Sequence, residues 1–395
     1  MTNQTQWETE IKAELEFLEN IFQRRSIVTT KELNSSWLIR NGQKLLNLAS
    51  NNYLGLLNDS RLKKAASKAI DKYGVGSGAS RLMTGNHPLY DKVESRLIQW
   101  KRAEAALVLN SGYTANVGII SALMKRDDIV FSDKLNHASI IDGIVLSRAK
   151  LQRYRHRDTN HLEALLMKAP KDKRKLIVTD TVFSMDGDIA DLEGIVRLKE
   201  KYNAMLMVDE AHASGVYGKG GQGYSHHVNL QDKVDIQVGT FSKALGSFGA
   251  YVVAKKWLID YIINRMRGLI YSTALPPAVL ATIEKAIEIV EEEREKRTLL
   301  LQHAEYFRNR LTRFGFDTCE SESQIVPIII GANSQTQSFA TRLQEEGIAA
   351  IAVRPPTVPE NKARIRFAIT SAHQKKELDW ALEKIIQVGK ELEVI

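Results

Sequence analysis

The 395-residue chain predicts an α/β protein, with a mainly parallel seven-stranded sheet covered by helices on both faces and a smaller C-terminal α+β domain. Three observations predict this. Seven short strand-like runs, most of them rich in apolar residues, recur between residues 106 and 253. Helical periodicity fills most of the gaps between them, the alternation that builds parallel sheets sheathed by helices. After Pro276-Pro277 the alternation stops, and a long charged helical run opens a different pattern.

In chain order, residues 4–24 carry Trp7, Ile11, Leu15, Leu18, Ile21 and Phe22 at helical spacing, which predicts an amphipathic helix. Residues 37–48 read as a hairpin turning at Asn41-Gly42, a pair that accepts positive φ. The seven strands are expected at 106–109, 129–132, 151–154, 176–181, 205–208, 236–238 and 250–253, with helices at 114–125, 138–148, 160–168 and 191–202. Beyond them a continuous helix over about 278–314 leads to a strand at 324–330 and a helix at 334–346. Strands near 349–353 and 364–369 and a final helix from about 373 complete the chain. The expected division is a leading segment 1–45, a large α/β domain 46–277, and a linking helix with the small domain at 278–395.

Composition narrows the function. The chain is 44% hydrophobic and 26% charged, enough to bury a sizeable core. One cysteine, Cys319, excludes an internal disulfide framework and a cysteine-rich metal site, so no metal is expected. The N-terminal residues carry no apolar run of signal-peptide or membrane-span length, so a cytoplasmic location is expected. A net charge of +8 comes without basic runs interleaved with aromatics, which argues against nucleic acid. It suits anionic small substrates, acyl thioesters of coenzyme A or an acidic carrier protein. The densest basic cluster, Lys168 to Lys175, is expected to be a solvated helix–strand turn.

Candidate chemistry gathers at strand ends, where ligands bind in such sheets. Lys243 follows the apolar run 236–238 in the loop Thr240-Phe241-Ser242-Lys243-Ala244-Leu245-Gly246, and Asp209 ends the run 205–208 in Val208-Asp209-Glu210-Ala211-His212. A lysine able to form a Schiff base and an aspartate able to hold a pyridinium nitrogen are what pyridoxal phosphate (PLP) chemistry needs. Small residues around Lys243 would admit a bulky ring, and Thr240 offers a hydroxyl at phosphate distance. Ser111-Gly112-Tyr113 follows one strand and opens a helix, so its N–H groups are placed for an anion.

These residues resemble the α-oxoamine synthase family of fold-type I PLP enzymes. The blocks run in the family's order: Ser50-Asn51-Asn52-Tyr53-Leu54-Gly55-Leu56, Gly76 to Arg81, Ser111 to Asn116, Asn136-His137-Ala138-Ser139, Val182 to Gly187, Val208 to His212, the Lys243 loop and Arg364-Ile365-Arg366. The resemblance implies that Ser111, Gly112, Tyr113 and Thr240 take the PLP phosphate and that His137 stacks on the ring and touches substrate. Ser184 and His212 would serve the phenolic oxygen, Asp209 the ring nitrogen, and Lys243 would hold PLP and act as base at Cα. It assigns the amino-acid carboxylate to Arg366 and Asn51, and the acyl substrate to Arg25 (or the adjacent Arg24) and Thr357, with Arg354 a further substrate contact. Ser272-Thr273 resembles a segment lent to the partner subunit's phosphate site, which implies a homodimer. The implied reaction is decarboxylative condensation of an amino acid with an acyl thioester. The block from Arg354 to Pro359, R-P-P-T-V-P, leans to L-alanine with a pimeloyl thioester, on coenzyme A or acyl carrier protein, over glycine with acetyl-coenzyme A. A non-catalytic PLP-binding regulator is the remote alternative, because the roughly 45 residues before Leu46 are too few for a winged-helix domain.

Overall fold

A computed structural model gives the structure of the protein and describes residues 5–395. The chain divides into two compact units, one of residues 51–184 and 188–300, the other of 1–50, 185–187 and 301–395. The leading segment thus groups with the C-terminal residues, and Pro277–Glu292 groups with the large unit.

The large unit is built on a seven-stranded sheet in the order Ala105–Leu109, Ala250–Ala254, Ile236–Thr240, Met205–Asp209, Lys175–Asp180, Ile129–Asp133, Lys150–Tyr154. Only Ala250–Ala254 runs antiparallel to its neighbours, pairing Ala250 with both Thr240 and Leu109. Gly249 therefore enters at the same sheet edge at which Asp180, Asp209 and Thr240 leave it.

Side chains alternate across each strand, and both faces are apolar because both are covered. Val130, Val178, Met207 and Val238 pack with helices Gly112–Leu123, Ala138–Ser147 and Lys256–Arg265. Phe131, Ile177, Leu206 and Val208 pack with helices Thr159–Lys168 and Leu192–Lys201 on the other side. By the same alternation Asp209 shares the face of Met207, the face of helix Gly112–Leu123. That helix and Ala138–Ser147 approach closely at Gly143, where a Cβ would lie 2.9 Å from the Asn116 carbonyl oxygen.

The second unit holds a four-stranded sheet, Thr30–Glu32, Trp37–Arg40, Gln43–Asn47 and Ile348–Ala349, and a three-stranded one, Ile325–Gly331, Ala363–Ala368 and Ala352–Val353. The hairpin turns where expected, with Asn41 at φ 50° and Gly42 at φ 78°. The strand expected near 349–353 is two strands. Ile348–Ala349 pairs parallel to Gln43–Asn47, and Ala352–Val353 pairs antiparallel to Ala363–Ala368.

Three further expectations change. The helix expected over 4–24 spans Gln6–Asn20 (residue 4 lies outside the described residues), and much of its apolar stripe is open, with Trp7 76% and Ile11 51% exposed. The run 278–314 is two helices, Pro277–Glu292 and Arg294–Arg313. Glu293 interrupts them, paired with Arg61 at 2.7 Å and Lys296 at 2.8 Å, while buried Arg297 donates to the carbonyls of Val290 and Lys219. Finally, Lys175 is buried rather than part of a solvated face, and its ammonium caps the carbonyls of Lys171 and Lys173.

Candidate active site

The carboxyl edge of the large sheet gathers most of the expected cofactor residues. Lys243, in the loop after Ile236–Thr240, places its Nζ 2.7 Å from His212 Nε2. His212 Nδ1 lies 2.6 Å from the Tyr53 hydroxyl, which donates to Asn51 Oδ1 at 3.1 Å. Asn51, Tyr53, His212 and Lys243 thus form one hydrogen-bonded line. Tyr53 lies inside the quoted Ser50–Leu56 block, yet nothing in the sequence marked it as joining His212.

Asp209 is buried at the end of its strand and is fully engaged. Its Oδ1 accepts the Ala211 N–H at 2.8 Å, and its Oδ2 accepts Asn116 Nδ2 at 2.7 Å. Asn116 also donates to Ser139 Oγ at 3.0 Å, and Ser139 Oγ sits 2.7 Å from His137 Nδ1. His137 caps helix Ala138–Ser147, and its N–H donates to Asp180 Oδ2 at 2.9 Å. Although one side of His137 is open to solvent, surrounding protein holds its imidazole below the usual histidine range. The Asp209 charge opposes that shift and the Lys243 charge reinforces it. Burial, then the nearby Asp209 charge, pushes the Asp180 carboxyl well above the usual range. Asp209, His137, Lys243 and Asp180 are therefore one electrostatic cluster.

Next to it lies a turn suited to an anion. Ser111 Oγ caps helix Gly112–Leu123 by accepting the Thr114 N–H at 3.1 Å, leaving the first-turn N–H groups of Gly112 and Tyr113 outside the helix's own bonds. A Cβ on Gly112 would meet only Thr240 Cβ, at 3.9 Å, so the turn and Thr240 border the same open space. The Thr240 hydroxyl donates to the Gly249 carbonyl at 2.8 Å and accepts the Ser242 N–H at 3.1 Å, so it must turn to serve a phosphate. Tyr113 is exposed, its phenol donating to Asp142. Thr273 is exposed and bridges Ser80, with its carbonyl accepting from Asn110 at 2.9 Å. Ser184 follows the Lys175–Asp180 strand and is half-buried.

A buried ion pair and a half-buried histidine that bridges two carboxylates brace this edge. Lys101 and Glu210, both wholly buried, meet at 3.0 Å, and Glu210 also takes the Ser225 N–H at 2.8 Å, which pins the residue after Asp209. His156 bridges Asp133 at 2.9 Å and Asp188 at 2.7 Å. Burial works against its charge, yet the two carboxylate hydrogen bonds outweigh it and raise the imidazole to about 9.

The expected substrate residues Arg25, Arg354, Thr357 and Arg366 all belong to the smaller unit. In the pair Arg364 and Arg366, which share one face of a strand, Arg364 is committed to Asp186 at 2.6 Å, and Arg366 is buried beside it. Arg25 reaches the Thr357 hydroxyl at 3.4 Å, whereas Arg24 pairs with Glu19 at 3.1 Å. Arg354 donates to the carbonyls of Phe22 and Arg24, and burial with the nearby Arg25 charge lowers its guanidinium below the ordinary value. Arg24, Arg25, Arg40 and Arg354 line an open cleft of about 1040 Å³. Among the described residues no group of three or more His, Cys, Asp or Glu side chains is arranged so that it could hold a metal ion.

The donor set fits PLP: a lysine amine, a buried carboxylate for a protonated ring nitrogen, an imidazole beside both, and a glycine turn open to a phosphate. Comparisons with known proteins agree. The model of the family "Aminotransferase class I and II" matches residues 43–385. Over 386 residues the chain is 56% identical to a protein of Bacillus mycoides (strain KBAB4) provisionally named 8-amino-7-oxononanoate synthase, covering 98% of each. A Bacillus cereus (strain G9842) protein of the same provisional name is 56% identical over 99% of each chain. Among solved structures, a serine palmitoyltransferase from S. paucimobilis with a PLP–myriocin adduct bound matches at TM-score 0.94 and 29% identity, over 99% of this chain and 100% of that one. The 8-amino-7-oxononanoate synthase of Francisella tularensis matches at TM-score 0.78 and 30% identity, over 89% of this chain and 99% of that one. Fold, donor set and full-length likeness converge: the chain belongs to the class I and II aminotransferase family and is a PLP-dependent enzyme of the fold-type I architecture.

Proposed function

We propose that the protein condenses L-alanine with a pimeloyl thioester, carried on coenzyme A or acyl carrier protein, releasing carbon dioxide and the free thiol. The product is 8-amino-7-oxononanoate, for biotin synthesis. The observation that carries the chemistry is the junction of Lys243, His212 and Asp209 at one sheet edge. The substrate pair is supported by the likeness to provisionally named synthases and by R-P-P-T-V-P at 354–359.

PLP when bound supplies a carbonyl that takes up the substrate amine and a ring that withdraws electrons from its Cα. The chain supplies the rest. Lys243 Nζ holds the cofactor and then removes and returns the proton at substrate Cα. Asp209, ionised and hydrogen-bonded, keeps the proton on the ring nitrogen. His212 and Ser184 hold the proton at the phenolic oxygen. The guanidinium of Arg366 is suited to bind the amino-acid carboxylate as a planar fork. A pimeloyl group ends in a second carboxylate, and Arg25 beside Thr357 offers a cation for it.

The reading includes a cytoplasmic homodimer. The homodimer is supported by the exposed apolar set Leu82, Met83, Tyr113, Phe248 and Tyr271, carried on the segments around Ser80 and Thr273, the first turn of Gly112–Leu123 and the loop after Lys243. No described helix is long and apolar enough to cross a membrane. Initial rates for alanine and glycine against pimeloyl and acetyl thioesters test the substrate pair. Alanine with pimeloyl should win by a wide margin, and equal or better use of glycine with acetyl-coenzyme A would replace this reading.

A further inference from the structure

Asn116 and Ser139 lie between Asp209 and His137, and hydrogen-bond chemistry allows their arrangement only one direction. Asp209, ionised, can only accept, so the face Asn116 turns to Asp209 Oδ2 at 2.7 Å must be its NH₂ group. The second N–H of that group goes to Ser139 Oγ at 3.0 Å. Ser139, having accepted there, has its single proton left for His137 Nδ1 at 2.7 Å. The Ser139 backbone N–H points to the same nitrogen at 3.3 Å. Nδ1 thus faces two donors and is an acceptor, so a neutral ring carries its proton on Nε2.

The three linking groups are shielded from water. Asn116 is 1% exposed, Ser139 0% and Asp209 6%. The direction comes at a cost: Asn116 Oδ1 is buried without a hydrogen-bond partner among the described residues. A lone buried acceptor is unfavourable, and the charge-assisted bond to Asp209 offsets it.

We propose that Asn116 and Ser139 are a positioning pair that couples Asp209 to His137, holding the Asp209 carboxylate toward the cofactor ring and fixing the ring proton of His137 on Nε2. The Nε2–H is then a donor on the ring edge that Ser139 does not engage, available to an oxygen of the substrate. Protonating Nδ1 would set an N–H against the Ser139 N–H. Burial, reinforced by the Lys243 charge, favours the neutral ring against the opposing charges of Asp209 and Asp142, while the backbone N–H of His137 is held by Asp180. The inference rests on the proposed function only for where the cofactor sits. Its test is made without substrate, so a failure in turnover assays leaves it standing or falling on its own.

The test is the ¹⁵N spectrum of the holoenzyme labelled in histidine and in the cofactor's ring nitrogen. The wild type should show His137 as the Nε2–H form. Ser139→Ala should give a mixture of ring forms, and Ser139→Thr should restore the single form. Asn116→Asp replaces the donor with a second carboxylate, so Asp209 and the introduced carboxyl group would share a proton. The cofactor nitrogen signal should then move toward that of an unprotonated pyridine, and PLP should bind about tenfold more weakly. A wild-type His137 carrying its proton on Nδ1, or a Ser139→Ala ring signal unchanged from wild type, would overturn the proposal. So would an Asn116→Asp cofactor signal that does not move. The serine variants remove or add one small group, which keeps the test alive if the Asn116 variant fails to fold.

Discussion

At Asp209 the two carboxylate oxygens each hold a neutral donor, Ala211 N–H and Asn116 NH₂. Neutral donors orient the carboxylate without pairing its charge, which suits a group that must hold a positive ring nitrogen. Asp209→Asn should keep PLP but lose most Cα-proton exchange, about 10²-fold or more, since an amide cannot stabilise the protonated ring. Exchange of alanine Cα in deuterated buffer measures this, and near-normal exchange would contradict the role. Arg366 tests the substrate end. Arg366→Ala should raise the Michaelis constant for the amino acid strongly and leave the visible spectrum of the bound cofactor intact. Arg366→Lys should rescue only part, because an ammonium lacks the planar fork. An unchanged alanine Michaelis constant in the Arg366→Ala protein would move the carboxylate site elsewhere. Lys243 and Asp209 were legible in the sequence because each is a rare chemical type at the end of an apolar run. Asn116, Ser139 and Tyr53 were not, because their roles depend on partners 93, 23 and 159 residues away that only packing brings near. One signal existed: Asn116 lies four residues after Gly112 and so shares its helix face.

Elements meet at the site because their ends are tied. His156 joins the loop after Ile129–Asp133, through Asp133, to the segment after Ser184, through Asp188. Its imidazole is raised to about 9 in the fold. A pKa raised above the unfolded value of about 6.5 gives stability that is complete below that pH and is lost as pH rises through 9. Urea midpoints should therefore fall between pH 6.5 and 9, and His156→Gln should be less stable at pH 6 with a flatter profile across that window. A variant with the wild-type slope would remove His156 as the cause. The strands and the helices between them were legible from periodicity, since each is buried on a face that the pattern marks. The break at Glu293 was not. An unbroken helical pattern runs through it, and the reason to stop lies in the distant partners of Glu293 and Arg297, namely Arg61 and the Lys219 carbonyl, which no local window contains.

For the molecule as a whole, the open apolar side chains near the site and along Gln6–Asn20 need a cover. Sedimentation equilibrium should give twice the 44.5 kDa chain mass. Phe248→Glu with Tyr271→Glu should weaken that association and PLP retention together, and a monomeric wild type with full activity would refute the shared site. The direct test of the central claim follows the atoms of the whole reaction. With L-alanine labelled at its carboxyl carbon and a pimeloyl thioester, the enzyme should release the label as carbon dioxide. One free thiol and one 8-amino-7-oxononanoate should appear for each carbon dioxide. Label retained in the product, or carbon dioxide formed without thiol, would contradict the account.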